Sequence, residues 1–304
     1  MLLIVHFLHV YSADISGLRS LSLLDILLIG VWSFVTYAAY AYAVYAMLTS
    51  AGLKDLNPFG WLRIYFVSRL VNFFVIQGGN LYRLVLLKKK YNFSYTNSIG
   101  ITTFLIWLNA SIALLVSSYI LATMEWRPGD FANNLLVWSV AGLVILLLTP
   151  MLLVRVVMSF KCLATLPTKI LEPALKIADH FVATMKNRRL MMKITSLSCT
   201  HFFFFVGVNY FSFRALGQTV DIAGVCLFTT AFVFTRYINI VPGNIGLSEL
   251  VGGLVSEQLG IGFGNGLLVS GIVRIIEILV IMLFGLFYGK FLLLEYFRNR
   301  TKAG

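Results

Sequence analysis

Acidic residues are scarce in this chain: 12 of its 304 residues are Asp or Glu, and charged residues of both signs together make up only 12%. Soluble domains run nearer a quarter charged, so a water-solvated globular domain is excluded. Cysteine is almost missing as well. Cys162, Cys199 and Cys226 show no paired spacing, which argues against a disulfide framework. His6, His9, His180 and His201 form no His-Glu-x-x-His pattern, and no Cys/His spacing suggests zinc, so no metal site is read. There is no P-loop, which argues against ATP hydrolysis by this chain, and no nucleophile–base set is found. No cofactor is expected.

What the chain has in abundance is apolar sequence. Hydrophobic residues make up 59%, and mean hydropathy is +0.88. The apolar runs reach the roughly 18–20 residues that cross a hydrocarbon core as helix. Helix is the default there, because lipid-facing backbone must satisfy its own hydrogen bonds. The net charge of +12 follows from the shortage of acids, and its basic residues cluster in a few connectors. That pattern suits anionic headgroups on the cytoplasmic side rather than nucleic acid.

These observations predict an all-α polytopic integral membrane protein of about seven membrane segments. Full spans are expected near 22–48, 98–122, 133–158, 194–214 and 265–294. Two further apolar stretches are interrupted, 61–90 at Gln77-Gly78-Gly79 and 222–260 at Pro242-Gly243-Asn244. Neither break is polar enough for an exposed loop between two full spans, so each stretch reads as a re-entrant hairpin of two half-helices. Residues 1–10 are apolar but too few to span. No basic n-region precedes them and no A-x-A site follows, which argues against a cleaved signal peptide; they read as interfacial or loosely inserted.

The connector 155–193 carries Arg155, Lys161, Lys169, Lys176, Lys186, Arg188, Arg189 and Lys193 against Glu172 and Asp179. Such an excess belongs in the cytoplasm, together with Lys88–Lys90 and the C-terminal Arg298, Arg300 and Lys302. Non-crossing hairpins satisfy these assignments with the N-terminus outside. Within the connector Leu171, Leu175, Ala178, Phe181, Val182 and Met185 recur at helical spacing, which predicts an amphipathic helix. It either lies on the inner leaflet or packs as a short cytosolic helix.

The two broken segments resemble each other. Arg69-x-x-Asn72 precedes Gly78-Gly79-Asn80-x-x-Arg83, and Arg236-x-x-Asn239 precedes Gly243-x-x-Gly246-x-x-Glu249. The arginines are 236 − 69 = 167 residues apart, and so are the asparagines, 239 − 72 = 167. One transmembrane domain of two repeat units is therefore expected, 22–122 with hairpin 61–90 and 194–294 with hairpin 222–260, joined through 133–193. Three full spans separate the hairpins, so the repeats would be inverted, a plan that recurs among transporters.

Intramembrane charge marks a functional site by default. Arg69, Arg83, Arg236 and Arg274 are the candidate ligands of a lipid phosphate, with Asn72 and Asn239 beside them. Gly78, Gly79, Pro242, Gly243 and Gly246 would shape the hairpins, whose buried half-helix N-termini favour an anion. Glu249 would neutralise Arg236 or Arg274, or couple to protons. Arg274 and Glu277 stand at i, i+3 and could equally pair with each other.

At this point a resemblance emerges. Pro242-Gly243-Asn244-Ile245-Gly246-Leu247-Ser248-Glu249, with Arg274 downstream, resembles the Pro-Gly-Gly-x-Gly-x-x-Glu signature of the lysylphosphatidylglycerol synthase transmembrane-region family, the flippase-like domain proteins. Ser68-Arg69, Asn72 and Gly79-Asn80-x-x-Arg83 resemble its first motif, with Asn80 where glutamate is usual and the preceding proline missing. The resemblance covers roughly 57–115 and 222–290. It implies an inner-membrane lipid translocation module without the soluble aminoacyl-transfer domain that some members carry.

The expected function is flippase-like movement of an anionic phospholipid or lipid-linked glycan headgroup through an electropositive cavity. The expected partner is that membrane lipid, with a biosynthetic enzyme as a possible second and no nucleic acid. Two rivals stay open. A membrane glycosyl- or acyltransferase using a lipid donor would need clustered exterior acids, and only Glu125 and Asp130 qualify. The other is a scaffold subunit of a biosynthetic complex.

Overall fold

A computed structural model describes residues 21–123, 135–149, 168–237 and 246–301. Ten helices are present among them, and no strand. They are α1 Leu23–Ser50, α2 Pro58–Phe74, α3 Gly78–Tyr91, α4 Tyr95–Thr123, α5 Leu135–Thr149, α6 Thr168–Lys186, α7 Arg188–Ala215, α8 Ile222–Thr235, α9 Leu247–Gln258 and α10 Phe263–Thr301. Four of them, α1, α4, α7 and the 263–290 part of α10, are long and apolar enough to cross a membrane. At 1.5 Å per residue each exceeds the roughly 30 Å hydrocarbon core. The fifth expected span, 133–158, is described only as the 15 residues of α5. The expectations for residues 1–10 and for 155–167 lie outside the described residues.

Local chemistry sets the helix ends. Ser22 and Asp25 form a reciprocal box at the start of α1, with Asp25 N–H donating to Ser22 Oγ and Ser22 N–H to the Asp25 carboxylate. Pro58 opens α2, where its missing N–H is no loss. Asp221 caps α8 by accepting from Gly224 N–H at 2.9 Å.

The helix order repeats. The first residues of α1 and α7 are 188 − 23 = 165 positions apart, and those of α2 and α8 222 − 58 = 164. The pairs α3 and α9, and α4 and α10, follow at 247 − 78 = 169 and 263 − 95 = 168. Each set is a long apolar helix, two short helices and another long apolar helix. Four helices in each half of the chain thus share an order and a spacing of 164–169 residues.

The chain forms two compact units. One comprises residues 1–37, 66–79 and 201–304, and the other 38–65 and 80–200. In the first unit, α2 ends at Phe74 and α3 begins at Gly78, with Gln77 between them at a positive φ of 57°. The chain doubles back so tightly there that a Cβ on Gly79 would run into the Ser68 backbone carbonyl. The helices α8 and α9 also run antiparallel. Ser248 Oγ donates to Thr235 Oγ1, and one turn further on Gly252 faces the Phe232 ring. In turn α9 lies against α10 through small residues, Gly252 and Ser256 meeting Gly266 and Ser270. Such residues let helix backbones approach closely.

In the second unit α6 lies on α4. Phe181 meets Phe104 and Trp107 at ring distances of 4.6 and 5.2 Å, and the His180 ring lies against Gly100. Ala178, Phe181 and Thr184 are buried, while Glu172, Lys176, Asp179 and Lys186 are exposed. The apolar stripe of this amphipathic helix is therefore covered by protein along Ala178–Thr184.

Candidate anion-binding site

The charged groups of the first unit gather around α7 and α10. Arg236, just past the end of α8, places its guanidinium carbon 3.9 Å above the centre of the Phe205 ring. It also pairs with Glu277 on α10. Arg69 on α2 lies 5.9 Å over the Tyr37 ring of α1. The two arginines are within electrostatic reach of each other and of His201. His201 Nδ1 stands 3.0 Å from the Thr36 carbonyl oxygen. A carbonyl can only accept, so Nδ1 carries the proton.

The aromatic partners stand at nearly the same spacing as the arginines. Tyr37 and Phe205 are 205 − 37 = 168 residues apart, against 167 for the arginines they underlie. Arg69 is thus held over a ring of α1 and Arg236 over a ring of α7. A cation over an aromatic face gains about 0.5–1 kcal/mol when exposed and 2 or more when desolvated, so the ring fixes the guanidinium without neutralising it.

One turn along α10, Arg274 pairs with Glu249 of α9 at 2.5 Å. Glu249 also accepts the Gly246 N–H at 2.7 Å, closing the first turn of α9. Arg274 and Glu277, which the sequence allows to pair with each other, instead each reach to a different helix. Both pairs are partly accessible. Side-chain exposure is 27% and 14% for Arg236 and Glu277, and 16% and 17% for Arg274 and Glu249.

The remaining expected residues play other parts. Arg83 is only 7% exposed and belongs to the second unit, where it donates to Asn80 Oδ1 and Thr102 Oγ1, both at 3.3 Å. Asn72 uses its side-chain oxygen to accept the Gly79 N–H at 2.8 Å, which ties the α2–α3 turn together. A Cβ on Gly78 would meet Val75 at 2.7 Å. Gly246 has open space around it but a φ of 90°, a conformation that favours glycine. Asn239, Pro242 and Gly243 lie outside the described residues. Among the described residues no group of three or more His, Cys, Asp or Glu is placed to hold a metal ion.

Three residues of this cluster, Tyr37, His201 and Phe205, went unremarked as site residues in the sequence. His201 carried a signal: an ionisable side chain in an apolar helix is a site candidate by the same rule that picks the arginines. Tyr37 and Phe205 carried none of their own, since 14% of the chain is aromatic.

Long apolar helices with ion-paired arginines among them define an integral membrane protein. A single arginine at mid-bilayer costs about 2.5–3.5 kcal/mol even on the lenient scale, so such residues persist only where protein or water surrounds them. The chain belongs to the lysylphosphatidylglycerol synthase TM region family, whose family model matches residues 2–285. No curated protein and no solved structure matches it.

Proposed function

We propose that this protein moves an anionic lipid headgroup across the cytoplasmic (inner) membrane of a bacterial-type cell, with Arg69 and Arg236 engaging the phosphate. One observation carries the reading: the repeat-related arginines lie within electrostatic reach of each other, each over an aromatic ring of its own repeat. Guanidinium groups are matched to phosphate oxygens by their planar fork of donors. Three arginines against two glutamates leave this set at 3 − 2 = +1. One singly charged phosphodiester brings it to neutrality, whereas a pyrophosphate-linked carrier would overshoot unless a carboxylate took up a proton. Membership in a family of lipid-associated membrane domains supports the same substrate class.

In this reading the α2–α3 and α8–α9 pairs are re-entrant hairpins, entering the bilayer from opposite faces. The apolar, exposed tip Phe74-Val75-Ile76 favours lipid or membrane depth over water for the first of them. The substrate's tails stay in lipid while its headgroup passes the arginines. The basic connector and the C-terminus face the cytoplasm.

The test is transport by the purified protein in liposomes of neutral phosphatidylcholine carrying a trace of fluorescent phosphatidylglycerol. Dithionite bleaching reports which headgroups are exposed outside. Wild-type protein should raise the bleachable fraction above one leaflet's share, and Arg69→Ala or Arg236→Ala should return it to the empty-liposome level while still inserting. Undiminished transport in both variants would overturn the assignment.

A further inference from the structure

Both glutamates of the cluster sit where an incoming anion would have to sit. Glu249 accepts an N–H at the start of α9 and at the same time pairs with Arg274. A helix N-terminal amide plus a guanidinium is the donor set that binds phosphate. Among the described residues Glu277 is the hydrogen-bonding partner of the Arg236 guanidinium. We propose that Glu277 and Glu249 are internal competitors of the substrate, carboxylate latches that hold the site closed to all but an anion able to displace them. This rests on the function proposed above and assigns its regulation.

Several features separate a latch from a permanent strut. Arg236 is held a second time by the Phe205 ring, so losing Glu277 leaves the guanidinium posed and ready for a new anion. Neither pair is sealed, as all four side chains keep measurable exposure. Opening a pair with nothing to replace the carboxylate strands a charge in a poorly solvated place, which is strongly unfavourable. Exchange of one anion for another avoids that penalty, so headgroup arrival and latch release are one event. The two pairs stand one turn apart on α10, so displacement of Glu277 is felt by the neighbouring Arg274–Glu249 rung.

The two repeats differ in this respect. Residues 58–123 contain no acidic residue at all, although they hold Arg63, Arg69, Arg83 and three consecutive lysines. The latches are confined to the second repeat. This makes the two sides of the cycle unequal: on the first side an anion meets the cations of 58–123 with no acid in that stretch, and on the second it must compete.

Glu277→Gln keeps the size and hydrogen-bonding capacity of the side chain but removes its charge. In the fluorescent phosphatidylglycerol assay it should lower KM about tenfold and lower kcat as well, because the headgroup is no longer expelled by a returning carboxylate. Glu249→Gln should shift both constants in the same direction, and Glu277→Asp, which restores the charge, should bring KM back toward wild type. Thermal stabilisation of the detergent-purified protein by dioctanoyl phosphatidylglycerol gives a second readout, expected to begin at lower lipid concentration in both glutamine variants. If the wild type moves the lipid but neither glutamine variant changes KM or the stabilisation midpoint, the latch is overturned and the transport function stands. If KM rises in the glutamine variants, the glutamates are struts for the arginines and the latch is again overturned. If the wild type moves no lipid, the function falls and takes the latch with it.

Discussion

Gly79 shows how one missing methyl group shapes this molecule. Its backbone N–H is held by Asn72 Oδ1, and any Cβ would collide with the carbonyl of Ser68 on the facing helix. Backbone cannot swing aside as the tip of a flexible side chain can. Gly79→Ala should therefore prise α2 and α3 apart, at about 1–3 kcal/mol for an overpacked site. Gly271 on α10 is the control: a Cβ there meets nothing within 4 Å, and alanine is the better helix former by up to about 1 kcal/mol. Melting of the detergent-purified proteins should place Gly79→Ala well below wild type and Gly271→Ala at or above it. Equal melting temperatures would mean that the close approach is not what the turn depends on. His201 makes the complementary point. It drew attention in the sequence only as a non-ligand for zinc, yet its ring lies within electrostatic reach of both repeat arginines.

The helix α6 joins on through a half-buried histidine. Among the described residues His180 Nε2 has no hydrogen-bond partner, it is shielded from solvent, and burial pushes the imidazole below its ordinary pKa of 6.5. The charged residues nearest to it in sequence, Lys176 and Asp179, are exposed. A histidine lowered in the packed state takes up its proton more readily once released. Packing of α6 on α4 is thus at full strength above about pH 6.5 and is lost as pH falls through the lowered value. Hydrogen exchange across 168–186, corrected for intrinsic rates, should quicken at pH 5 relative to pH 7.5 in the wild type and much less in His180→Phe. An identical acid response in that variant would place the sensitivity elsewhere. The element order was largely legible beforehand, because apolar runs punctuated by glycine mark helices and breaks without help from tertiary structure. The first break, at Gln77-Gly78, and the repeated Arg-x-x-Asn were legible in the same way. Partner choice was not. Arg274 had Glu277 at i, i+3 on its own helix, but the close approach of α9 to α10 along Gly252, Ser256, Gly266 and Ser270 brings Glu249 within 2.5 Å of it. Nor could spacing say whether the stripe on α6 would meet lipid or protein. Phe104 and Trp107, more than 70 residues upstream of Phe181, decide that.

At the scale of the whole molecule the question is how four short helices sit in a bilayer. α2, α3, α8 and α9 have 17, 14, 14 and 12 residues, lengths of about 25, 21, 21 and 18 Å at 1.5 Å per residue. All fall short of the roughly 30 Å core, whereas α1, α4, α7 and α10 do not. A short helix can cross only by thinning the lipid, snorkelling its flanking residues or oligomerising. Two of them joined by a tight turn can enter and leave by one face without that distortion. In the function proposed above, each hairpin would stand between two long helices, and three full spans between the hairpins, with the 133–158 segment counted as one, would turn the second upside down relative to the first. Gln77 lies in the first turn and Asn244 in the second sequence break, and Gln77 is preferable to Gly79 as a probe because it is exposed and adds no clash. In a background with Cys162, Cys199 and Cys226 replaced, a membrane-impermeant maleimide should reach Gln77→Cys from the cytoplasmic side and Asn244→Cys from the opposite side. Labelling of both from one side would leave the hairpins parallel, and a headgroup would then have an entrance with no matching exit.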